Sequence, residues 1–284
     1  MDDQWRTLTQ GELDAFDPVD FYSPEPRPAN SLQRLLIGLA RNTFLHRGKL
    51  RHLMTKVIMA TGGQSAFDVS FRDCTFRIDG RKNLVEYGLL LSPAYNHEDI
   101  DFLLGGLQNG GIAVDIGSNI GLYALPLAKS ADRVICIDPN PIMVRRCEFN
   151  ARASDIENLS IHQVAVSDEE GSARLSIRKE DLAIVRIEPD TDGNIAVRTL
   201  KSILAEENIT SIASLKIDVE GFEDQVLVPL LKEGGAILPK LIVIEHAKGV
   251  VPAGCAAMFD ELGYVEIGRS KNNAFYRLGR SCHL

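Results

Sequence analysis

The sequence is most easily narrowed by what it lacks. The apolar runs of this 284-residue chain, such as Leu241–Ile244, fall far short of the roughly 20 residues a membrane span needs. The opening stretch MDDQWRTLTQ is acidic and has no apolar centre, so a secretory signal is not expected. Five cysteines, Cys74, Cys136, Cys147, Cys255 and Cys282, are scattered, odd in number and never in a C-x-x-C pair. They argue against a disulfide framework and for a reduced, cytoplasmic compartment, with the thiols acting as small core hydrophobes. No His/Cys set has zinc spacing, and the G-x-S-x-G turn of serine hydrolases is absent. Positive charge is also short. With 31 Lys and Arg against 39 Asp and Glu, the net charge of −8 argues against nucleic acid as a partner of the whole molecule.

What is present is ordinary for a globular domain: 45% hydrophobic and 25% charged residues. Residues 1–29 are acidic and carry Pro18, Pro24, Pro26 and Pro28, which predicts a poorly structured leader. From Pro28 to Phe67 there is no Asp or Glu, whereas Arg34, Arg41, Arg47, Lys49, Arg51 and Lys56 are present. Leu32, Leu35, Leu36 and Leu39, then Leu50, Leu53, Met54 and Val57, recur at helical spacing. Residues 30–65 therefore read as a basic amphipathic helical extension. It either packs on the domain behind it or touches a membrane surface or acidic partner.

The rest, 66–284, reads as one catalytic domain. Asp68–Ile78 alternates and suggests a hairpin; a helix is expected over 99–107. From 112 onward strands and helices alternate. Strands are expected at 112–115, 133–137, 159–164, 215–218 and 241–245, and helices at 122–129, 141–153 and 225–232, with extra strands at 173–177 and 195–199. That order predicts an α/β fold with a mainly parallel sheet covered on both faces.

In such sheets ligands bind at the carboxyl ends of the strands. The first strand of the series ends in Asp115, and Gly117, Ser118, Asn119 and Gly121 lead into the next helix. Glycines there let the backbone approach a ligand, and the helix N-terminus adds partial positive charge. Asp138, followed by Pro139, ends the next strand 17 positions after Gly121, where an acid accepts hydrogen bonds from ribose hydroxyls. A dinucleotide loop G-x-G-x-x-G counted from Gly117 would need glycine at Asn119 and Leu122, and both fail. The pattern present is D-x-G-x-N-x-G.

That pattern resembles the first motif of class I methyltransferases. Val114-Asp-Ile-Gly-Ser-Asn-Ile-Gly-Leu-Tyr123, Ile137-Asp-Pro-Asn-Pro141, Asn150, Ala165-Val-Ser-Asp168 with Gly171, Leu215-Lys-Ile-Asp-Val-Glu-Gly-Phe-Glu223 and Val243-Ile-Glu245 together resemble the ordered motifs of the FkbM family of methyltransferases. The resemblance covers roughly residues 66–279. The family commonly has Glu where this chain has Asp138, and usually Ala at Ser118. The resemblance implies a Rossmann-like class I fold with a seven-stranded sheet, S-adenosylmethionine as cofactor, and O-methylation of hydroxyls on sugars or polyketide-type products. It also implies that Asp115, Gly117, Ser118, Asn119 and Gly121 surround the methionine end. By the same resemblance Asp138 and Pro139 lie at the ribose, Ala165 with Val164 or Gln163 at the adenine, and Asp218 facing the transferred methyl.

A hydroxyl acceptor must lose a proton, so a base is needed within hydrogen-bond reach. Asp218, Glu220, Glu245 and His246 cluster at strand ends and are the catalytic candidates. His246 is the natural base near neutrality, or else a surface loop residue. Asp218 and Glu220 alternate along a strand and share a direction only once the strand has turned. Glu220 could instead cap the following helix, and Glu223 suits the dipole of that helix. The four would also suit Mg²⁺ or Mn²⁺, but the resemblance requires no metal, and none is assigned. Between Ser167 and Thr199, Arg174, Arg178, Lys179, Arg186 and Arg198 are either surface charge or contacts for an acidic acceptor. The acceptor is read as a small hydroxylated molecule. The alternatives are methylation of another nucleophile, and a fold that binds cofactor without turnover. Nothing fixes the oligomeric state; a homodimer is compatible.

Overall fold

The computed structural model describes residues 5–7, 19–61, 66–79, 83–92, 94–178 and 181–279. In chain order a short strand β1 (Trp5–Arg6) precedes two helices, α1 (Ser31–Arg41) and α2 (Gly48–Ala60). A hairpin, β2 (Phe67–Phe71) and β3 (Cys74–Ile78), and helices α3 (Leu84–Leu91) and α4 (His97–Leu104) follow. Then come β4 (Ile112–Ile116), α5 (Ala124–Ala128), β5 (Arg133–Ile137), α6 (Pro141–Ala153) and β6 (Leu159–His162). A group of strands comes next: β7 (Ala165–Ser167), β8 (Gly171–Arg178), β9 (Asp181–Pro189) and β10 (Ile195–Thr199). The chain continues through α7 (Leu200–Glu206), β11 (Ser214–Ile217), α8 (Glu223–Glu233), β12 (Leu241–Glu245), α9 (Ala253–Leu262), β13 (Tyr264–Arg269) and β14 (Asn273–Leu278).

The main sheet has seven strands in the order β13-β14-β12-β11-β4-β5-β6. Neighbours from β12 to β6 pair parallel, and β14 alone runs against the rest. The expected α/β class and mainly parallel seven-stranded sheet are therefore observed. Because each strand alternates its side chains, the apolar strands feed two cores. Ala113, Val134, Cys136 and Val243 face α4, α5 and α6, where Ile100, Leu125, Leu127 and Met143 are buried. Val114, Ile135, Leu215, Ile242 and Ile244 face α7, α8 and α9, where Ile203, Leu230 and Phe259 are buried. Leaving β4 the chain turns to β5 on one side, whereas β11 lies on the other; this reversal opens a crevice at the carboxyl ends of β4 and β11. The segment between Ser167 and Thr199 belongs to a second sheet, β1-β8-β10-β7 with β9 paired to β8.

Several elements were not anticipated. Helix α3 carries Leu89, Leu90 and Leu91, all buried, so it lacks the polar face that gives a helix its period. Helices α7 and α9 and the hairpin β13–β14, which completes the sheet, also escaped the sequence reading.

The larger departure is the leader. Residues 1–4 and 8–18 lie outside the described residues, but residues 19–29 are packed rather than unstructured. Phe21 is 2% exposed. One buried guanidinium, Arg77, donates to the carbonyls of Phe21 (2.9 Å), Ser23 (2.5 Å) and Glu25 (2.7 Å) while pairing with Asp68 at 2.7 Å. The backbone of Arg27 and Asp68 closes the arrangement. Proline and acid content argued for disorder; a single buried donor group outweighs it by satisfying carbonyls that would otherwise need water.

A second buried arginine locks α3 to α6. Arg146 pairs with Glu86 (2.5 Å) and Asp79 (3.1 Å) and lies 4.4 Å over the Phe21 ring. Both Arg146 and Glu86 are essentially inaccessible. Arg146→Met would leave that carboxylate buried without its cation. The expected cost is about 3–5 kcal/mol, read from the denaturant midpoint; a loss below about 1 kcal/mol would contradict this role.

Candidate functional site

Two loops meet in the crevice. The first, Gly117–Gly121, leaves β4 with three residues at positive φ: Gly117 (+76°), Asn119 (+51°) and Gly121 (+89°). Asn is the side chain most tolerant of that region, which explains its replacing a glycine. At Gly117 a Cβ would come within 2.0 Å of the Asp218 carbonyl oxygen, so the first loop is pressed against the second. At Gly121 it would strike Leu125 and Cys147. The amides of Gly117 and Ser118 donate to the Ile137 carbonyl, which ties the loop to the end of β5.

Lys216 of β11 pins the arrangement from below. Its ammonium donates to the Gly117 carbonyl at 2.8 Å and lies 3.5 Å from Asp115 and 3.8 Å from Asp218. Burial alone would lower its pKa; the carboxylates of Asp218, Asp115 and Asp138 outweigh burial and raise it. Asp115 is completely buried, and that desolvation raises its pKa despite Lys216 and a hydrogen bond from the Ala124 amide. Among the described residues Asp115 Oδ1 and Ser118 Oγ are buried without a hydrogen-bond partner.

Asp138 stands beside the loop. Its two oxygens accept from the amides of Asn119 (2.8 Å) and Asn140 (2.9 Å). Burial pushes its pKa up to about 6 against these two bonds. Asn140 also caps α6, with Pro141 in the first turn as expected. Val164 and the buried Ala165 follow the end of β6, whose His162 carbonyl receives the Asp138 amide; the ribose and adenine candidates therefore share one edge.

On the other side lie the carboxylates. After β11 the chain reverses through Glu220 (φ +53°) and Gly221 (φ +100°), which is the turn that lets Asp218 and Glu220 act on one space. Glu245, at the end of β12, is pushed up to about 8, first by burial and then by the nearby charges of Asp218 and Glu220. Glu220 is exposed and does not cap α8. No side chain caps that helix; Glu223 closes the turn before it, its carboxylate accepting from the amides of Val219 and Gly221, each at 3.2 Å. His246 is not brought into the group. One residue beyond Glu245 it faces the other way; its Nδ1 accepts from the Gly249 amide at 3.1 Å, and it lies near Glu266. Among the described residues no three His, Cys, Asp or Glu side chains converge as metal ligands.

Several polar residues at the site escaped sequence reasoning. The Tyr123 hydroxyl donates to Asp99 at 2.8 Å and accepts from Asn96 at 2.7 Å, and Asn273 donates to the same Asp99 at 2.6 Å. The Lys216 ammonium lies 5.2 Å over the Tyr123 ring. Burial raises the Tyr95 pKa, and its hydroxyl feels both Arg51 of α2 and Asp218. Asn83 donates to Asn119 at 3.0 Å. Of these, Tyr123, Asn119 and Lys216 lay within quoted motifs; Asn83, Tyr95, Asn96, Asp99 and Asn273 were not singled out as site residues. The arginines of the second sheet are largely engaged: Arg174 pairs with Asp190, Arg198 with Glu206, and Arg186 covers the Trp5 ring. Lys179 lies outside the described residues.

Gly117→Ala tests the contact between the loops. The added methyl meets a backbone carbonyl at a positive φ, so the folded state should lose on the order of 2–4 kcal/mol. Denaturant unfolding measures it, and an unchanged midpoint would mean the loops part freely.

Residues 115–265, more than half of the chain, match the family described as Methyltransferase FkbM domain. The 31-O-demethyl-FK506 methyltransferase FkbM of Streptomyces tacrolimicus is 29% identical, over 43% of this chain and 60% of that protein. A 23S rRNA (uracil(1939)-C(5))-methyltransferase of Legionella pneumophila (strain Corby) is 34% identical over 62 residues, 22% of this chain and 14% of that protein. The chain thus spans less than two thirds of either relative. Among solved structures, M. jannaschii TYW2 in complex with AdoMet aligns over 76% of this chain and 88% of that one, at 12% identity and a TM-score of 0.40, too slight a likeness to argue from. Loop, acids and family match agree: the chain belongs to the FkbM family of S-adenosylmethionine-dependent methyltransferases.

Proposed function

We propose that the chain methylates a hydroxyl oxygen of a carbohydrate or similar small metabolite, with S-adenosylmethionine held across the crevice and Glu245 as the base. The observation that carries the reading is the contact of Gly117 with the Asp218 carbonyl, which sets a cluster of carboxylates directly against the glycine loop. The cofactor, when bound, supplies a methyl group on a cationic sulfonium.

The residues present suit such a ligand. It carries net positive charge, and Asp115, Asp138, Asp218, Glu220 and Glu245 surround the crevice against the one buried ammonium of Lys216. The buried, unpartnered Ser118 Oγ offers a hydrogen bond to its polar end. Asp138 keeps lone pairs beyond the two amide bonds for ribose hydroxyls.

Glu245 holds its proton at neutral pH, because burial and the nearby carboxylates of Asp218 and Glu220 favour its neutral form. A carboxyl pushed up to about 8 is close to the pH at which it must work, so its conjugate base can take the acceptor proton with little driving force lost. His246 is a poorer base, because its ring is committed to the Gly249 turn.

Three outcomes test this. Asp138→Ala should weaken S-adenosylhomocysteine binding by about 1.5–3 kcal/mol in calorimetry; unchanged affinity, or binding of NAD instead, would sink the cofactor assignment. A mass-spectrometric search for a product one CH₂ heavier, in extract given the protein and S-adenosylmethionine, identifies the acceptor; a product methylated on nitrogen or carbon, or none, overturns the hydroxyl reading. With that acceptor, kcat/KM should rise with pH through about 8, because only the ionised carboxyl accepts a proton. The kcat profile should rise at lower pH, since a bound cation stabilises the carboxylate. Glu245→Gln should lower kcat by about 10²–10⁴-fold and remove the rise, whereas His246→Ala should keep it. The reverse pattern would make His246 the base.

A further inference from the structure

We propose that the helical hairpin α1–α2 is a docking surface for a bilayer rich in anionic lipid. Eleven large hydrophobic side chains are exposed among the described residues, and seven of them fall within residues 32–57. Leu32, Leu35 and Leu39 lie on α1, Leu50, Leu53 and Val57 on α2, and Phe44 in the link between them. Leu35 and Phe44 are 68% and 69% exposed. The two helices run antiparallel, joined by hydrogen bonds from Asn30 to the Thr61 carbonyl and from Gln33 to the Ile58 carbonyl. Their inner sides are set by the buried Gln33, Ala40, Thr55 and Ile58. The exposed residues recur at spacings of three and four on the sides turned away from that packing. A grouped apolar surface of this kind on a chain of ordinary composition marks an interaction site.

Charge selects the occupant. A chain of net charge −8 has six Lys and Arg and no acid between Pro28 and Phe67. Arg41 is used internally, donating to the carbonyls of Leu89 and Leu90. Arg34, Arg47, Lys49 and Lys56 are exposed, and none forms an ion pair with another described residue. A second copy of the chain would bring two such cationic faces together with no acid to separate them. A nucleic acid would supply phosphates but nothing for leucines, which do not stack on bases. A bilayer interface supplies both terms, acyl depth for the leucines and anionic headgroups for the cations. Helices of 11 and 13 residues are too short to span it and would lie in its plane.

The test is co-sedimentation of the full chain with vesicles of phosphatidylcholine alone and of phosphatidylcholine mixed with phosphatidylserine. The expected result is binding to the mixed vesicles that weakens with added salt, and little to the neutral ones. Leu35→Glu with Leu53→Glu should abolish it. Lys49→Gln with Lys56→Gln should lower the partition constant roughly fivefold for each charge removed. All four side chains are exposed, and unchanged thermal unfolding would show that the variants fold. Equal binding to the two vesicle types, no binding to either, or insensitivity to both pairs of substitutions overturns the proposal. So does a dimer that the leucine substitutions dissociate in a protein that ignores vesicles, or capture of an acidic amphipathic peptide in place of lipid. None of these readouts depends on methyl transfer.

Discussion

The crevice depends on one buried ammonium. Lys216 is opposite Asp115 in the β4–β11 pairing, at the point where the strand order reverses. A lone cation there would be costly. It is tolerated because a main-chain carbonyl of the glycine loop and two carboxylates, one from each strand end, converge on it. The same convergence makes Asp115 tolerable at zero exposure. It also fixes the separation of the two loops, because Lys216 holds Gly117 from within while the Asp218 carbonyl abuts it. The glycine at 117 is thus required twice, by its own φ and by the close approach of the neighbouring loop.

Legibility in the sequence followed the range of the interactions. The glycine loop could be read because its conformation is local: positive φ at 117, 119 and 121 selects Gly, Asn and Gly whatever surrounds them. Asp138 could be read because strand ends in an alternating fold fall at regular intervals. The role of Lys216 could not, since a lysine inside an apolar strand looks like a misplaced charge until its partners from β4 are known. The Asp99–Asn273 bond joins residues 174 positions apart, and no pattern announces it. The direction of His246 was not legible either: it is one residue from Glu245, and that single step turns it toward the Gly249 turn. Residues 19–29 were misjudged on composition, which cannot register that Arg77 will gather three of their carbonyls.

The acids at the crevice raise one another's proton affinity, and this has a thermodynamic side. Glu245 and Asp138 are pushed up to about 8 and about 6. A carboxyl whose folded pKa lies above its unfolded value binds protons more readily when folded, so these two groups favour folding at low pH and oppose it increasingly as pH rises through those values. Binding a cation in the crevice reverses the penalty, because the same clustered charge becomes attraction. The site is therefore less stable empty than its packing alone would make it, and a cationic ligand gains affinity from relieving that repulsion.

The charge pattern beyond the crevice is consistent with this. Acidic side chains crowd the carboxyl ends of the strands, while the only long stretch without acid, Pro28–Phe67, folds as the hairpin α1–α2. The two regions adjoin: Tyr95 lies within the fields of both Arg51, on α2, and Asp218. A strongly cationic hairpin beside an anionic crevice gives the molecule opposed poles at close quarters. Arg51 on that border lowers the Tyr95 pKa while Asp218 raises it, and burial decides the net shift upward. The phenol therefore stays neutral on the border between the cationic hairpin and the carboxylates.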